Sequence, residues 1–484
     1  MQFMRALTAI AMVGVTGPGR PAPAPSAIAV VDTAIARMGG ERALRAIHRA
    51  RYDMMTQWLS TSFDARPFQD GPGYEWHSDY RDYDTRTWRN VRRFVNNGAW
   101  VSMTDLVVDT VAARAAGPYT RGVAVPAGVV DGWAPLDIAY VDERRELFLL
   151  TPERLLLLVH DAPDLRRLAD TVIDGIPHAA VAATIDGFPT TVYLRRTDGF
   201  LAMARYHADE SNDFGLAPWG PMDVGVWYST WRPDPATHLV LPRQWDITRV
   251  GVPYKRMTVL GVAMNESLPA DSLVLSEGVR SAYLKHARRP MADLPLDSAR
   301  IVADGRLTEF RTPGAPLAGV KLGHDWVLIE PGNLPLNAER ASAWLAARAR
   351  GRVVAGIIGG GTPSGGVAWL ARQRIPLYIA PSGSVSVPRS LANYGAPTST
   401  IRRVTGGQWI RAGGDSLRVE EIDLPNAPRS LVIYVPSMRW AFSSKIGGPA
   451  EMALVTARVR ARGWKVDRVG TPANPAGDPL AATR

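Results

Sequence analysis

The 484-residue chain has no cysteine, so disulfides, thiolate metal ligands, a cysteine nucleophile and an acylated cysteine anchor are all excluded. Histidine is scarce as well: there are eight, and from Ile301 to Arg484 the only one is His324. A zinc centre needs about three or four imidazole, thiolate or carboxylate donors at roughly 2.0 to 2.3 Å, so a histidine-rich centre cannot be assembled there. Only five of the 56 cationic residues are lysine, and the net charge of +10 rests on arginines scattered singly or in short groups such as Arg348, Arg350 and Arg352. They show neither the one-sided concentration nor the stacking aromatics of nucleic-acid binders, so no nucleic-acid partner is expected. An anionic membrane surface is the other partner such a charge would suit. Beyond the start of the chain no stretch reaches the roughly 18 to 20 uncharged residues of a membrane helix, so no transmembrane segment is expected in the mature chain.

What is present is globular material. With 46% hydrophobic and 21% charged residues, and a length beyond one ordinary core, the chain is expected to form two domains. The first residues, MQFMRALTAIAMVGV, place Arg5 ahead of a short apolar run, and PAPAPSAIA follows with small residues suited to signal-peptidase cleavage. Residues 1–29 therefore read as an export signal, or else as a disordered Pro/Ala-rich leader, and the expected location is periplasmic or secreted.

Val31 to Ile47 has a helical pattern broken by Gly39 and Gly40. Strand-like segments follow at Arg51 to Ser60, Ala99 to Met103, Ala179 to Ile185, Thr190 to Arg196, Phe200 to Tyr206, Val224 to Trp231, Leu239 to Val250 and Tyr254 to Met264. Asp186-Gly187 and Asp198-Gly199 are hairpin signals, so the region is expected to be an antiparallel meander. Thr151 to Asp170, with Leu155 to Val159, is expected to be a helix packed on the concave side of that sheet. Nine of the fifteen tryptophans lie between Trp58 and Trp245 and are expected to fill a core. The stretch Tyr74 to Phe94 alternates aromatic and charged residues, His77, Asp79, Asp82 and Asp84 among them, and reads as an exposed strand of a sheet rather than as a site.

From about Ala299 strands and helices alternate, after a Pro- and Arg-rich linker at 288–298. LAGVKLGHDWVLIEPG reads as a hairpin, NAERASAWLAARA as a helix and VVAGII as a strand; then comes the loop GGGTPSGG, Gly359 to Gly366, and the helix GGVAWLARQ. Gly359, Gly360, Gly361 and Thr362 are a candidate anion-binding loop, with Thr362 as helix cap and Pro363 at the first helical position. The loop matches neither dinucleotide nor P-loop spacing. Ser443 and Lys445 are a candidate Ser-Lys pair, since on a strand these two, and not Ser444 and Lys445, would share a face.

The loop and its surroundings resemble the metallo-β-lactamase superfamily, whose corresponding strand ends in T-H-x-H-x-D-H-x-G-G. With the paired glycines placed at Gly365 and Gly366, Ile358 and Gly360 stand at the first two histidines, Thr362 at the aspartate and Pro363 at the third histidine. Glu330 stands at a familiar acidic position, Ser444 or Lys445 at the bridging aspartate, and Val469-Gly470 near the last histidine. The resemblance therefore implies an αββα sandwich over 299–475, followed by a flexible tail at 476–484, without metal ligands and without a cofactor. The segments ARMGGERALRAI, IDGFPTTVYLRRTDGFLAMARY and HLVLPRQWDITRVGVPYKRMTVLGVAMN resemble the LolA-like, lipoprotein-carrier fold, a curved antiparallel half-barrel of α+β class expected over 30–287. That likeness implies an apolar or lipid-like ligand. The expected function is that of an exported, non-catalytic binding or scaffolding protein. The alternative is a hydrolase using Thr362, Ser364, Ser443 and Lys445, or a metal held by carboxylates such as Asp325, Glu330, Asp415, Glu420, Glu421 and Asp423.

Overall fold

The computed structural model describes residues 25–59, 72–96, 99–116, 128–136, 138–210, 220–286, 300–302, 305–312, 315–361, 365–425, 427–471 and 474–480. Helices α1 (Ala27–Met38) and α2 (Glu41–Arg45) come first, separated by Gly39 and Gly40, which both adopt positive φ. Strands β1 (Arg49–Leu59), β2 (Pro72–Asp82), β3 (Thr87–Asn96), β4 (Ala99–Val108), β5 (Val111–Ala116) and β6 (Trp133–Pro135) form one meander. Helices α3 (Ala139–Leu150) and α4 (Pro152–Asp161) interrupt it. A second run follows: β7 (Arg166–Arg167), β8 (Thr171–Ile173), β9 (Ile176–Ile185), β10 (Phe188–Arg195), β11 (Leu201–Asp209), β12 (Pro221–Pro233), β13 (Val240–Arg249) and β14 (Val252–Met264). Helix α5 (Glu277–His286) ends this half.

The two runs join where β1 pairs antiparallel with β14, giving one antiparallel sheet in the order β6-β5-β4-β3-β2-β1-β14-β13-β12-β11-β10-β9-β7, with β8 also on β9. Helix α4 is shorter than the expected Thr151 to Asp170. Pro163 cannot continue a helix, and Arg166 and Arg167 are instead recruited as a strand against β9. Leu155, Leu156 and Leu157 of α4, Val31 and Ile35 of α1, and Tyr52, Trp88 and Trp245 of the sheet are buried in one core. Trp88 and Trp245 fill that core as expected, whereas Trp76 and Trp100 do not.

The second half holds two mixed sheets. Strands β15 (Arg300–Val302), β16 (Leu307–Thr312), β17 (Ala315–Leu322), β18 (Asp325–Ile329), β19 (Val353–Ile358), β20 (Leu377–Ile379) and β21 (Ile401–Arg403) are ordered by number, antiparallel as far as β18 and parallel beyond it. Parallel pairing needs crossovers, and α6 (Pro335–Ala349), α7 (Gly366–Arg372) and α8 (Ser386–Asn393) lie in them. The other sheet runs β22 (Gly407–Ala412), β23 (Asp415–Leu424), β24 (Ala427–Val435), β25 (Trp440–Phe442), β26 (Arg468–Gly470) and β27 (Asp478–Pro479), with α9 (Pro449–Ala461) crossing between β25 and β26. Val320, Val327, Ile329 and Ile357 of the first sheet share a core with Leu417, Val419, Ile433, Trp440 and Phe442 of the second. Helices α6 to α8 pack with Leu328, Ile358 and Leu377 in a separate cluster, and α9 contributes Val455 and Val459 to another with Val432 and Ala441.

Candidate functional site

The glycine loop leaves the carboxyl end of β19, beside the ends of β18 and β25. Glu330 follows β18 directly and adopts φ 49°, a left-handed conformation unusual for a side chain of this size. Its Oε1 accepts from the Gly359 N–H at 2.8 Å and from the Ser444 hydroxyl at 2.6 Å. Gly359 returns its carbonyl to the Leu431 N–H of β24 at 2.8 Å, tying the loop to the second sheet.

Side chains from just after β18 and from the turn after β25 fill the room that Gly359 and Gly360 leave. A Cβ on Gly359 would come within 2.5 Å of Ser444 Oγ and 3.0 Å of Glu330 Oε1. On Gly360 it would collide with Lys445 Cε and lie 3.0 Å from the ammonium nitrogen. A side chain at Gly360, a histidine above all, would have to displace the end of the lysine already there. The paired glycines serve packing too: a Cβ on Gly366 would meet the Pro331 carbonyl, and the N–H groups of Gly365 and Gly366 donate to Asn333 O and Gly332 O at 2.8 and 2.9 Å.

Among the described residues, the other positions aligned with ligands are equally unsuited to a metal. Ile358 is wholly buried in the α6–α8 core, Val469 is buried, and a Cβ on Gly470 would strike the Pro475 carbonyl. The carboxylates that could have formed an oxygen site are dispersed among their own partners: Asp325 near Arg352, Asp415 with Arg306, and Glu421 with Arg429. Glu420 is buried among Arg418, Arg458 and Arg462. Burial works against its ionisation, yet hydrogen bonds from Arg462, Arg418 and Arg458 outweigh this and hold its carboxyl below the usual range. Among the described residues no three His, Asp or Glu side chains gather as a metal site. A zinc pair does not fit these residues.

Thr362, Pro363 and Ser364 lie outside the described residues. Ser443 and Lys445 do not share a strand face, because β25 ends at Phe442 and both lie beyond it; Ser443 is fully buried and its Oγ accepts from the Lys445 backbone N–H at 3.4 Å. The serine that meets a charged group is Ser444. Of the candidate anion loop, the Gly359 N–H already donates to Glu330.

A second constellation lies between α4 and the large sheet. The alternation in Tyr74 to Phe94 is as expected, but the strand is exposed on one face only: Glu75, His77, Asp79 and Arg81 point inward and are buried, while Tyr74 and Trp76 are exposed. Arg81 donates to Thr151 Oγ1 and, at 3.1 Å, to Asp79 Oδ2, with its guanidinium 4.8 Å from the Tyr52 ring centroid and 5.4 Å from that of Trp245. Asp79 also accepts from Trp88 Nε1 at 3.2 Å and lies 3.3 Å from His77 Nδ1. Thr56 Oγ1 is 2.6 Å from His77 Nε2. Burial opposes ionisation of Asp79, but His77 and Arg81 prevail and bring its carboxyl down to about 2. Glu153, in the first turn of α4, accepts from the Tyr52 and Tyr83 hydroxyls at 2.5 and 2.8 Å. Burial pushes its carboxyl up and both phenols well above their ordinary value. Arg92, Asp105 and Arg114 extend the ionic layer toward β5. The sequence signals for this network are a glutamate at the head of the apolar run in PERLLLLV and three charged residues and a histidine at strict two-residue spacing.

A pocket of about 360 Å³ opens elsewhere on this half, lined by Leu59, Ile173, Ile176, Trp227, Arg195 and Asp246 among others. It brings the β8–β9 hairpin and the end of β1 to one opening, though in the sheet order they stand well apart. Among the described residues no helix is long and apolar enough to cross a membrane.

No family model matches the chain, and no curated protein matches it. Among solved structures it is similar to a LolA superfamily protein from Nitrosomonas europaea, at 7% identity over 52% of this chain and 99% of that one, with a TM-score of 0.32. It is also similar to the metallo-β-lactamase FIM-1 from Pseudomonas aeruginosa, at 14% identity over 40% and 91% of the two chains, with a TM-score of 0.30. A metallo-β-lactamase from Pontibacter korlensis matches at 15% identity over 36% and 89%, with a TM-score of 0.28. The structures similar to this chain thus include members of both families whose residue patterns its two halves resemble.

Proposed function

We propose that the chain is an exported, non-catalytic binding protein. Residues 30–287 form a curved half-barrel that takes an apolar or lipid-like ligand, and residues 299–475 form an αββα sandwich that serves as a scaffold. The observation that carries the non-catalytic reading is the side chain of Lys445 in the space beside Gly360. A primary ammonium fills the room a metal-binding imidazole would need and opposes a cation by charge. The 360 Å³ pocket is large enough for part of an acyl chain, and its lining mixes Leu59, Ile173, Ile176 and Trp227 with paired ions such as Asp246 and Arg256, which suits an apolar body with a polar end.

Two measurements test this reading. Elemental analysis of protein purified without chelators is expected to find no stoichiometric transition metal; one zinc per chain, with an activity lost on its removal, would overturn it. Organic extraction followed by mass spectrometry is expected to recover an amphiphile, and extracts free of any apolar molecule would count against the ligand. The hydrolase reading retains one supporting observation, the Ser444 hydroxyl 2.6 Å from a carboxylate oxygen. Covalent labelling of Ser444 by a serine-directed fluorophosphonate would favour it.

A further inference from the structure

Most of the large apolar side chains exposed among the described residues are scattered, but four form one patch. Tyr74 and Trp76 on β2, Val95 on β3 and Trp100 on β4 are between 41% and 53% exposed and stand on one face of three adjacent strands. Val95 is directly opposite Trp100, Trp76 is directly opposite the exposed Arg93, and the Trp76 and Trp100 rings are 5.8 Å apart. Their chain neighbours Glu75, His77 and Val101 are buried on the other face, so the ionic interior fixes the phase that turns these aromatics outward.

The patch lies at the ends of its strands. There β1 finishes at Leu59 opposite Pro72, and β3 at Asn96 opposite Ala99. Leu59 also lines the 360 Å³ pocket, together with Ile173 and Ile176 of the β8–β9 hairpin. That hairpin exposes Val172 at 66% and Ile176 at 40%. Apolar exposure therefore occurs on both sides of Leu59, beside the pocket.

We propose that this rim docks the protein on an anionic lipid bilayer. Trp and Tyr rings prefer the headgroup boundary, where an apolar face and a polar edge are both satisfied. The guanidinium of Arg93 stands among them, and a chain of net charge +10 is drawn toward a negative surface. Four side chains cannot supply the roughly 800 Å² per partner of a stable protein interface, whereas a fluid bilayer demands no matching shape. The proposal goes beyond the binding reading and stands without a ligand in the pocket.

Flotation of the full chain with vesicles of phosphatidylglycerol and phosphatidylcholine, compared with phosphatidylcholine alone, tests it. Binding is expected to the anionic vesicles, with a blue shift of tryptophan emission and weakening as salt rises. The double variant Trp76→Ser/Trp100→Ser, checked for an unchanged circular dichroism spectrum, is expected to lower the partition coefficient by about tenfold or more. If that variant misfolds, Val95→Ser with Arg93→Gln reads the same surface. Absence of binding to anionic vesicles, or equal binding by folded variants, overturns the proposal. Self-association of the chain that the same substitutions abolish would also overturn it, by assigning the patch to a second copy. Failure to recover a lipid on extraction leaves this result untouched, so the two readings fail separately.

Discussion

Between α4 and the large sheet, Asp79 is buried with Arg81 and His77, and Glu153 with the Tyr52 and Tyr83 hydroxyls, while at the end of β19 Gly359 and Gly360 share a small space with Glu330, Ser444 and Lys445. The large sheet carries a buried ionic cluster beside its apolar core, and the glycine loop lies beside an ammonium. The difference lies in how each is held. Burial of an ion pair is tolerated only when every partner is present, so the first region is cooperative and sensitive to single deletions. The second is held by close packing, so it is sensitive to added volume.

Removing one partner is the harshest way to break that contrast. Arg81→Ala leaves Asp79 buried without its guanidinium and is expected to cost about 3 to 5 kcal/mol in chemical denaturation, enough to unfold a marginal domain. The pH dependence of the same network should be somewhat smaller. The Asp79 carboxyl lies at about 2 in the fold against 3.8 ordinarily, so its contribution is complete above that ordinary value and is lost as pH falls toward 2. The stability difference between the native chain and Asp79→Asn should shrink by about 2 kcal/mol over that window. Glu153, raised by burial, has the opposite sign and favours the fold at low pH, which is why the difference curve is the informative one.

For the packed region, Gly360→Ala is expected to cost about 1 to 3 kcal/mol, and most of that should return in a Lys445→Ala background; a double-mutant cycle showing independent effects would remove the lysine from its assigned place. Ser444→Ala should cost about 1 kcal/mol, since Glu330 keeps the Gly359 N–H. The smallest expected effect is that of a chelator. Dialysis against EDTA should leave the thermal midpoint unchanged, and a fall in that midpoint would mean that a metal supports the fold.

Much of the strand inventory was legible because turn chemistry and alternation are local. The hairpins at Asp186-Gly187 and Asp198-Gly199 form as read, with both aspartates in the described turns and Asp186 at φ 49°. Helix α4 stops short of Asp170 for one local reason, Pro163, and one distant one, the pairing of Arg166 and Arg167 with β9. The inward turn of the charged residues of β2 was not legible for a similar reason: a charged residue reads as exposed until its partner is known, and Arg81, His77 and Asp79 find theirs in Thr151 before α4, Thr56 of β1 and Trp88 of β3. At the glycine loop the missing donors were plain from the sequence, but the filling of the space by Lys445 and the pairing of Ser444 with Glu330 were not.

By itself the sequence determined which atoms are available: no thiol anywhere, one imidazole after residue 300, and no histidine or carboxylate in the glycine loop. Composition sets such limits without any fold, because chemistry cannot use donors that are absent. The tertiary structure decided which face of each strand turned inward and which side chain took the vacant space. Those outcomes depend on contacts between residues far apart in the chain, whose energies no local pattern contains.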